Sequence, residues 1–339
     1  MKSAAYFFIT VIAVVVTLIF GKNLLIPFVF ALLLWFLVRK IRQSLDKIKF
    51  IKKYLPYWFK NIFTSFILIC ILGFVSKLLL SNINQLANSY RVYESNVDMV
   101  IANANNLFNI DLISLLKGHV GDFDYGSILK QIFNSLTDLL SNAFIIIIYA
   151  LFIFLEEANF DVKLKGMFKN EYTKLSEILN KIEISIAKYI GLKTLLSLIT
   201  GTLSYIVLAI IGIDAPLFWS FLIFALNFIP TIGSLIATLF PAIFCLLQFG
   251  GFNQALMVLV FVGAIQVLVG NLLEPKLMGN SLNISSLVAI FALSFWGVLW
   301  GVTGMIISVP ITVVMVIIFS NFEKTRPIAI LLSDKGNID

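Results

Sequence analysis

Charge and histidine are what this sequence has least of. Asp, Glu, Lys and Arg make up 13% of its 339 residues, about half of the ~25% found in soluble domains. The single histidine, His119, lies in a polar stretch, which leaves no partner for a His-based metal site or catalytic dyad. The two cysteines, Cys70 and Cys245, both fall inside apolar runs without metal-ligand spacing, so neither a disulfide nor a thiolate site is expected. No G-x-S-x-G elbow, Walker A loop or H-E-x-x-H motif occurs, which removes the usual supports for a hydrolase or an ATP-driven pump. We therefore expect no catalytic residue, no metal and no cofactor. The net charge of +7 comes without a basic patch interleaved with aromatics, so nucleic acid is not an expected partner.

What is present is sequence suited to a lipid bilayer. Hydrophobic residues reach 60% and the mean hydropathy is +1.00. The expected fold is an all-α polytopic membrane protein of about seven to eight transmembrane segments, two of them broken or re-entrant, with amphipathic helices outside the bilayer. Residues 4–20 and 24–38 read as a helical hairpin joined by Gly21-Lys22-Asn23. Arg39, Lys40, Arg42, Lys47, Lys49, Lys52, Lys53 and Lys60 then face the lone acid Asp46. Such a cluster belongs in the cytoplasm, and it places both termini there once the crossings are counted.

Residues 59–80 read as a third span. In the stretch 81–140 the acids Glu94, Asp98, Asp111, Asp122, Asp124 and Asp138 outnumber Arg91, Lys117 and Lys130, as suits the extracytoplasmic side. There Ile83, Leu86, Tyr90, Tyr93, Val97, Val100, Ala104 and Leu107 alternate spacings of three and four. That is a helix seam, packed either on this chain or on another subunit. A glycine-containing loop and a second amphipathic helix lead into a fourth span, 141–155. The charged stretch 156–188 reads as a cytoplasmic helix feeding the span 188–212. Lys193 sits one turn inside that span, where a lysine either snorkels to the interface, its usual behaviour, or faces a pathway.

The C-terminal part carries the exceptions. The apolar run 217–249 would reach roughly 50 Å as one helix, against a hydrocarbon core of ~30 Å. Pro230 and Gly233 fall near its centre, with Asn227 one turn earlier. Residues 284–319 repeat the pattern with Trp296-Gly297, Gly301 and Gly304 as the break and Pro310 beyond. Each run is either a kinked span or a re-entrant hairpin. Paired interruptions of this kind point to a solute site, because broken helices present free backbone groups; the competing reading is that glycines permit close packing and prolines only kink. Between them, 253–273 is a span carrying Gln266 and Asn271, which need partners across helices or in an aqueous cavity, followed by Glu274-Pro275-Lys276. Glu274 can bind a cation or exchange a proton, or it can pair with Lys276 or Lys193 as a lock. Asp214 is the other acid available for ion coupling.

The segments NFIPTIGSLIA, NLLEPKLMGNSLNIS, FWGVLWGVTGMIISVPIT and the tail RPIAILLSD, in this order, resemble the autoinducer-2 exporter family, most densely over residues 188–334. The motif positions are Asn227, Pro230, Gly233, Asn271, Glu274, Pro275, Gly279, Gly301, Gly304 and Pro310; Gln266 and Lys276 beside them complete the candidate pathway. The resemblance implies a multi-pass protein of the bacterial inner membrane, a homo-oligomer as in the pentamers of the family, that exports a small polar solute, the quorum-sensing signal autoinducer-2, without ATP. Some relatives are assigned Na⁺ or Li⁺ exchange for protons, which is the alternative function; a scaffold or sensor using the insert is a third. The expected organisation is a membrane hairpin, basic loop and third span over 1–80, the insert 81–140, the fourth span and cytoplasmic helix 141–187, a transport core 188–320 and a cytoplasmic tail 321–339.

Overall fold

The computed structural model describes residues 2–45, 66, 73, 77, 81–82, 93, 96, 99–100, 103, 105, 125–278, 283–334 and 336. The basic stretch 46–60, most of the third span and of the insert seam, and Gly279 lie outside the described residues. Those described are helical apart from short turns, with no strand among them. Five of their helices are long and apolar enough to cross a membrane, so the chain is a multi-pass membrane protein. It forms two compact units, Met1–Leu68 with Ser141–Leu192 and Met278–Asp339, and Ile69–Leu140 with Lys193–Leu277. The expected core 188–320 is thus divided between them.

The first unit begins with α1, Lys2–Phe20, and α2, Lys22–Leu45. Only Gly21 separates them. Its N–H bonds Thr17 O at 2.8 Å, and its own carbonyl accepts from Leu25 N at 2.9 Å. Reversing a helix takes a loop of about 2–5 residues, so this is a bend and not the expected hairpin. Helix α3, Tyr125–Met167, and α4, Tyr172–Ile211, have 43 and 40 residues. Both are about twice the length of a span, because helical sequence runs from the apolar segments straight into the charged stretches. The amphipathic helices expected to lead into the spans at residues 141 and 188 are continuous with them. Polar contacts tie α2 to α3 and α4: Arg42 Nη2 meets Glu157 Oε1 at 3.0 Å, Trp35 Nε1 donates to Glu157 Oε2 at 3.0 Å, and Arg39 Nε meets Glu183 Oε1 at 2.8 Å.

Both broken segments fold back on themselves. In the second unit, α5, Pro216–Leu226, and α6, Ile232–Phe249, flank the break. Trp219 and Phe244 pack with ring centroids 4.9 Å apart; in one straight helix 25 residues would separate them by roughly 37 Å. Helix α7, Phe252–Leu268, passes into a wide π-helical turn, Val269–Leu273, and a last short helix α8, Glu274–Met278. Pro275 has no N–H for the carbonyl four residues back, and its ring clashes there in a regular helix. The wider turn accommodates it.

In the first unit, α9 covers Ser286–Ser320, with Gly301 at φ 63°, ψ −147° inside it. Its 35 residues would span roughly 52 Å if straight. Yet Ser285 N–H donates to Leu332 O at 3.2 Å, at the end of the short helix α10, Arg326–Leu332. The chain from 320 to 332 reaches at most about 28 Å, so α9 is a hairpin turning at Gly301. Its buried Trp296, Trp300 and Ile307 pack with Leu18, Leu25, Ile26 and Val29 of the α1–α2 bend.

Candidate functional site

The tip of the α5–α6 hairpin is built by residues 227–231. Asn227 ends α5 with its N–H on Ile223 O at 3.0 Å, and Ile229 N–H returns to Leu226 O at 2.9 Å. Pro230 stops the helix, since it fixes φ and cannot donate. Thr231 then takes φ 55°, ψ −57°, a conformation that costs a β-branched residue about 1–3 kcal/mol. Gly233 completes the reversal: a Cβ there would lie 1.9 Å from Leu226 O, so only a bare Cα lets the two arms meet. Helix α6 starts with no side-chain cap, leaving its first amides and the positive end of its dipole unpaired by side chains.

Asn227 is buried, and its Nδ2 donates to Ser197 Oγ of α4 at 3.2 Å. Lys193 precedes Ser197 by one turn and is 4% exposed; its Nζ donates to Glu274 Oε1 at 2.6 Å. The snorkelling expected of Lys193 is therefore not what occurs. Helix α4 starts at Tyr172, so Lys193 lies in the middle of a continuous helix and not near its end. Of the two partners open to Glu274, the structure selects Lys193; Lys276 is exposed, as are Asn271 and Pro275. Asn271, for which a partner across helices or an aqueous cavity is expected, is left exposed by the wide turn. Gln266, on α7, is buried, and its Nε2 has no hydrogen-bond partner among the described residues.

Sequence reasoning missed the continuation of this face along α4. Ser197, Thr200 and Ser204 follow Lys193 at four, seven and eleven residues, and each is fully buried. The signal was available as small hydroxyl residues at helical spacing in an apolar run.

Asp214 is not part of this cluster. It lies beyond the far end of α4, roughly 30 Å along the helix from Lys193. Its Oδ2 accepts from Tyr93 OH at 2.7 Å, and its N–H donates to Gln248 Oε1 at 2.7 Å. Gln248 Nε2 donates to Gly212 O at 2.9 Å, closing the open end of the hairpin. Asn96 donates to Leu247 O and Gln248 O at 3.0 and 2.8 Å, and Asn103 to Gly250 O at 2.9 Å. Tyr93, Asn96 and Asn103 lie on one helix face, so this part of the insert packs on its own chain.

Gly301, Gly304 and Pro310 belong to the other hairpin. A Cβ on Gly304 would lie 1.9 Å from Trp296 O. Trp300 Nε1 donates to Leu18 O at 2.9 Å. Pro310 is buried in the second arm, where Ser308 Oγ donates to Met305 O at 2.7 Å and Thr312 Oγ1 to Ser308 O at 2.7 Å. Such bonds support a helix whose ladder a proline interrupts. Among the described residues no cluster of metal-ligating side chains occurs.

Comparison with known proteins bears on this arrangement. Residues 8–324 match the family described as AI-2E family transporter. The AI-2 transport protein TqsA of Escherichia coli is 36% identical over 208 residues, covering 61% of this chain and 60% of that protein. A Borreliella burgdorferi protein whose name assigns it to transport is 33% identical over 242 residues, 71% of this chain and 67% of its own. A Haemophilus influenzae protein, also named for transport, is 26% identical over 336 residues, 95% of both chains.

Proposed function

The chain belongs to the AI-2E transporter family, and from that premise we propose that it exports a small polar solute, autoinducer-2 by analogy with TqsA, without ATP. The observation that carries this reading is the tip of the α5–α6 hairpin. There an interrupted helix pair turns, with a buried amide, Asn227, on a buried hydroxyl, Ser197, beside an uncapped helix start. In hydrocarbon, backbone breaks of this kind are tolerated where they line a cavity or pathway. Amide and hydroxyl groups can exchange their mutual hydrogen bonds for those of a hydroxylated solute at little net cost. The candidate pathway keeps Asn227, Pro230, Gly233 and Gln266 from the sequence and adds Ser197, Thr200 and Ser204.

The protein is placed in the bacterial inner membrane, with the basic stretch after Arg39 in the cytoplasm. Counting crossings from there puts the open end of the α5–α6 hairpin outside, with the insert residues that bind it, and the C-terminus inside. Assembly as a homo-oligomer, a pentamer by resemblance, belongs to the same proposal and is checked by the mass of the detergent-solubilised complex. Cation–proton exchange is the weaker reading, because Glu274 already holds the ammonium of Lys193 at 2.6 Å. Everted membrane vesicles containing the full chain should accumulate autoinducer-2 in the absence of ATP. Equal accumulation in vesicles lacking the protein would refute the proposal.

A further inference from the structure

We propose that the pair formed by the buried Lys193 and the half-buried Glu274 matches charge in the pathway, so that neutral hydroxylated solutes enter and anions are turned away. The inference rests on the pathway reading above and assigns its solute class. Residues 193–277 contain four charged side chains, Lys193, Asp214, Glu274 and Lys276. Asp214 is held by Tyr93 at the far end of α4, and Lys276 is exposed. That leaves Lys193 as the buried cation of this stretch, one helical turn from the Ser197 hydroxyl that accepts from Asn227 at the hairpin tip.

An uncompensated ammonium at that depth would draw anions to the tip, by roughly tenfold or more in affinity at an effective dielectric near 20. Glu274 cancels it at 2.6 Å. The wide turn Val269–Leu273 makes the match possible. Its last bond runs from Glu274 N–H to Val269 O, and the extra residue re-phases the helix, so that Glu274 is turned inward while Asn271 and Lys276 stay exposed. The other buried polar groups of the candidate pathway, Ser197, Thr200, Ser204, Asn227 and Gln266, are neutral. A site of amides, hydroxyls and one cancelled charge recognises hydroxyl groups and gives no advantage to net charge.

The test uses the full chain in proteoliposomes and two forms of one probe. Autoinducer-2 is supplied as the neutral diol and as its borate ester, which carries one negative charge, and the ratio of their initial fluxes is read. The unsubstituted protein should favour the neutral form. Glu274→Gln should shift the ratio toward the anion by about tenfold, Lys193→Met should shift it the other way, and the double substitution should return it to the starting value. A pair that only fastens helices would lower the amount of folded protein and leave the ratio fixed, which would overturn the charge assignment alone. Absence of flux of either form in the unsubstituted protein would overturn the pathway reading and the assignment together. If Glu274→Gln does not assemble, Lys193→Met against the double substitution carries the same comparison.

Discussion

The two hairpins use one device and differ in everything around it. In each, a glycine in the returning arm sits where a Cβ would be 1.9 Å from a carbonyl of the entering arm, Leu226 O for Gly233 and Trp296 O for Gly304. The α5–α6 hairpin then reverses through five residues, with a strained Thr231 and a polar anchor, Asn227 on Ser197. The α9 hairpin reverses at Gly301 and is fastened by an indole, Trp300 on Leu18 O, within an aromatic and aliphatic cluster. Close backbone approach is what a hairpin in a membrane requires. Strain and polarity at the tip are additional, and proteins keep such features where function uses them. The two tips thus differ in kind: one carries a strained turn and a polar anchor, the other an aromatic fastening.

The largest effect expected is common to both. Gly233→Ala and Gly304→Ala each drive a methyl into a carbonyl, and each should cost more than about 4 kcal/mol, seen as loss of folded, monodisperse protein from detergent extracts. Tolerance at either position would break the shared half of the comparison. Next come the turning residues, where the signs diverge. Gly301→Ala forces a side chain into φ 63°, ψ −147° and should destabilise by roughly 1–3 kcal/mol. Thr231→Gly relieves φ 55° and should stabilise by about 1 kcal/mol. Thermal unfolding in detergent reads both, and equal signs would erase the distinction. Smaller still is Trp300→Phe, which removes one hydrogen bond and should cost about 1 kcal/mol. Comparable in size is Tyr93→Phe, about 1.5 kcal/mol, because its hydroxyl donates to a carboxylate. It should appear as faster amide exchange confined to residues 212–214 and 247–250.

Much of this was legible before any coordinates. Long apolar runs against a 30 Å bilayer reveal a polytopic helical protein, and runs too long for one crossing with Pro230 or Gly301 at their centres reveal breaks. Whether a break kinks or reverses a helix depends on contacts between residues far apart in sequence, such as Trp219 with Phe244 or Ser285 with Leu332. Local pattern carries no information on those. Gly21 misled in the opposite direction, since a Gly-Lys-Asn triplet resembles a turn, yet the helical bonds run up to it from both sides. Lys193 reads as close to an end only when the span is counted from 188; α4 is helical from Tyr172, and in the middle of that helix the lysine meets Glu274. The hydroxyl stripe of Ser197, Thr200 and Ser204 went unnoticed because small polar residues are unremarkable singly in membrane helices.

The central claim is that the polar hairpin tip, and not the aromatic one, is where solute passes. Initial flux of autoinducer-2 in proteoliposomes containing equal amounts of folded Asn227→Ala or Trp300→Phe tests it most directly. Flux should fall about tenfold or more in Asn227→Ala, as for an interaction worth ~1.4 kcal/mol lost at the barrier, and stay near that of the unsubstituted protein in Trp300→Phe. Unchanged flux in Asn227→Ala, or an equal fall in both, would contradict the account.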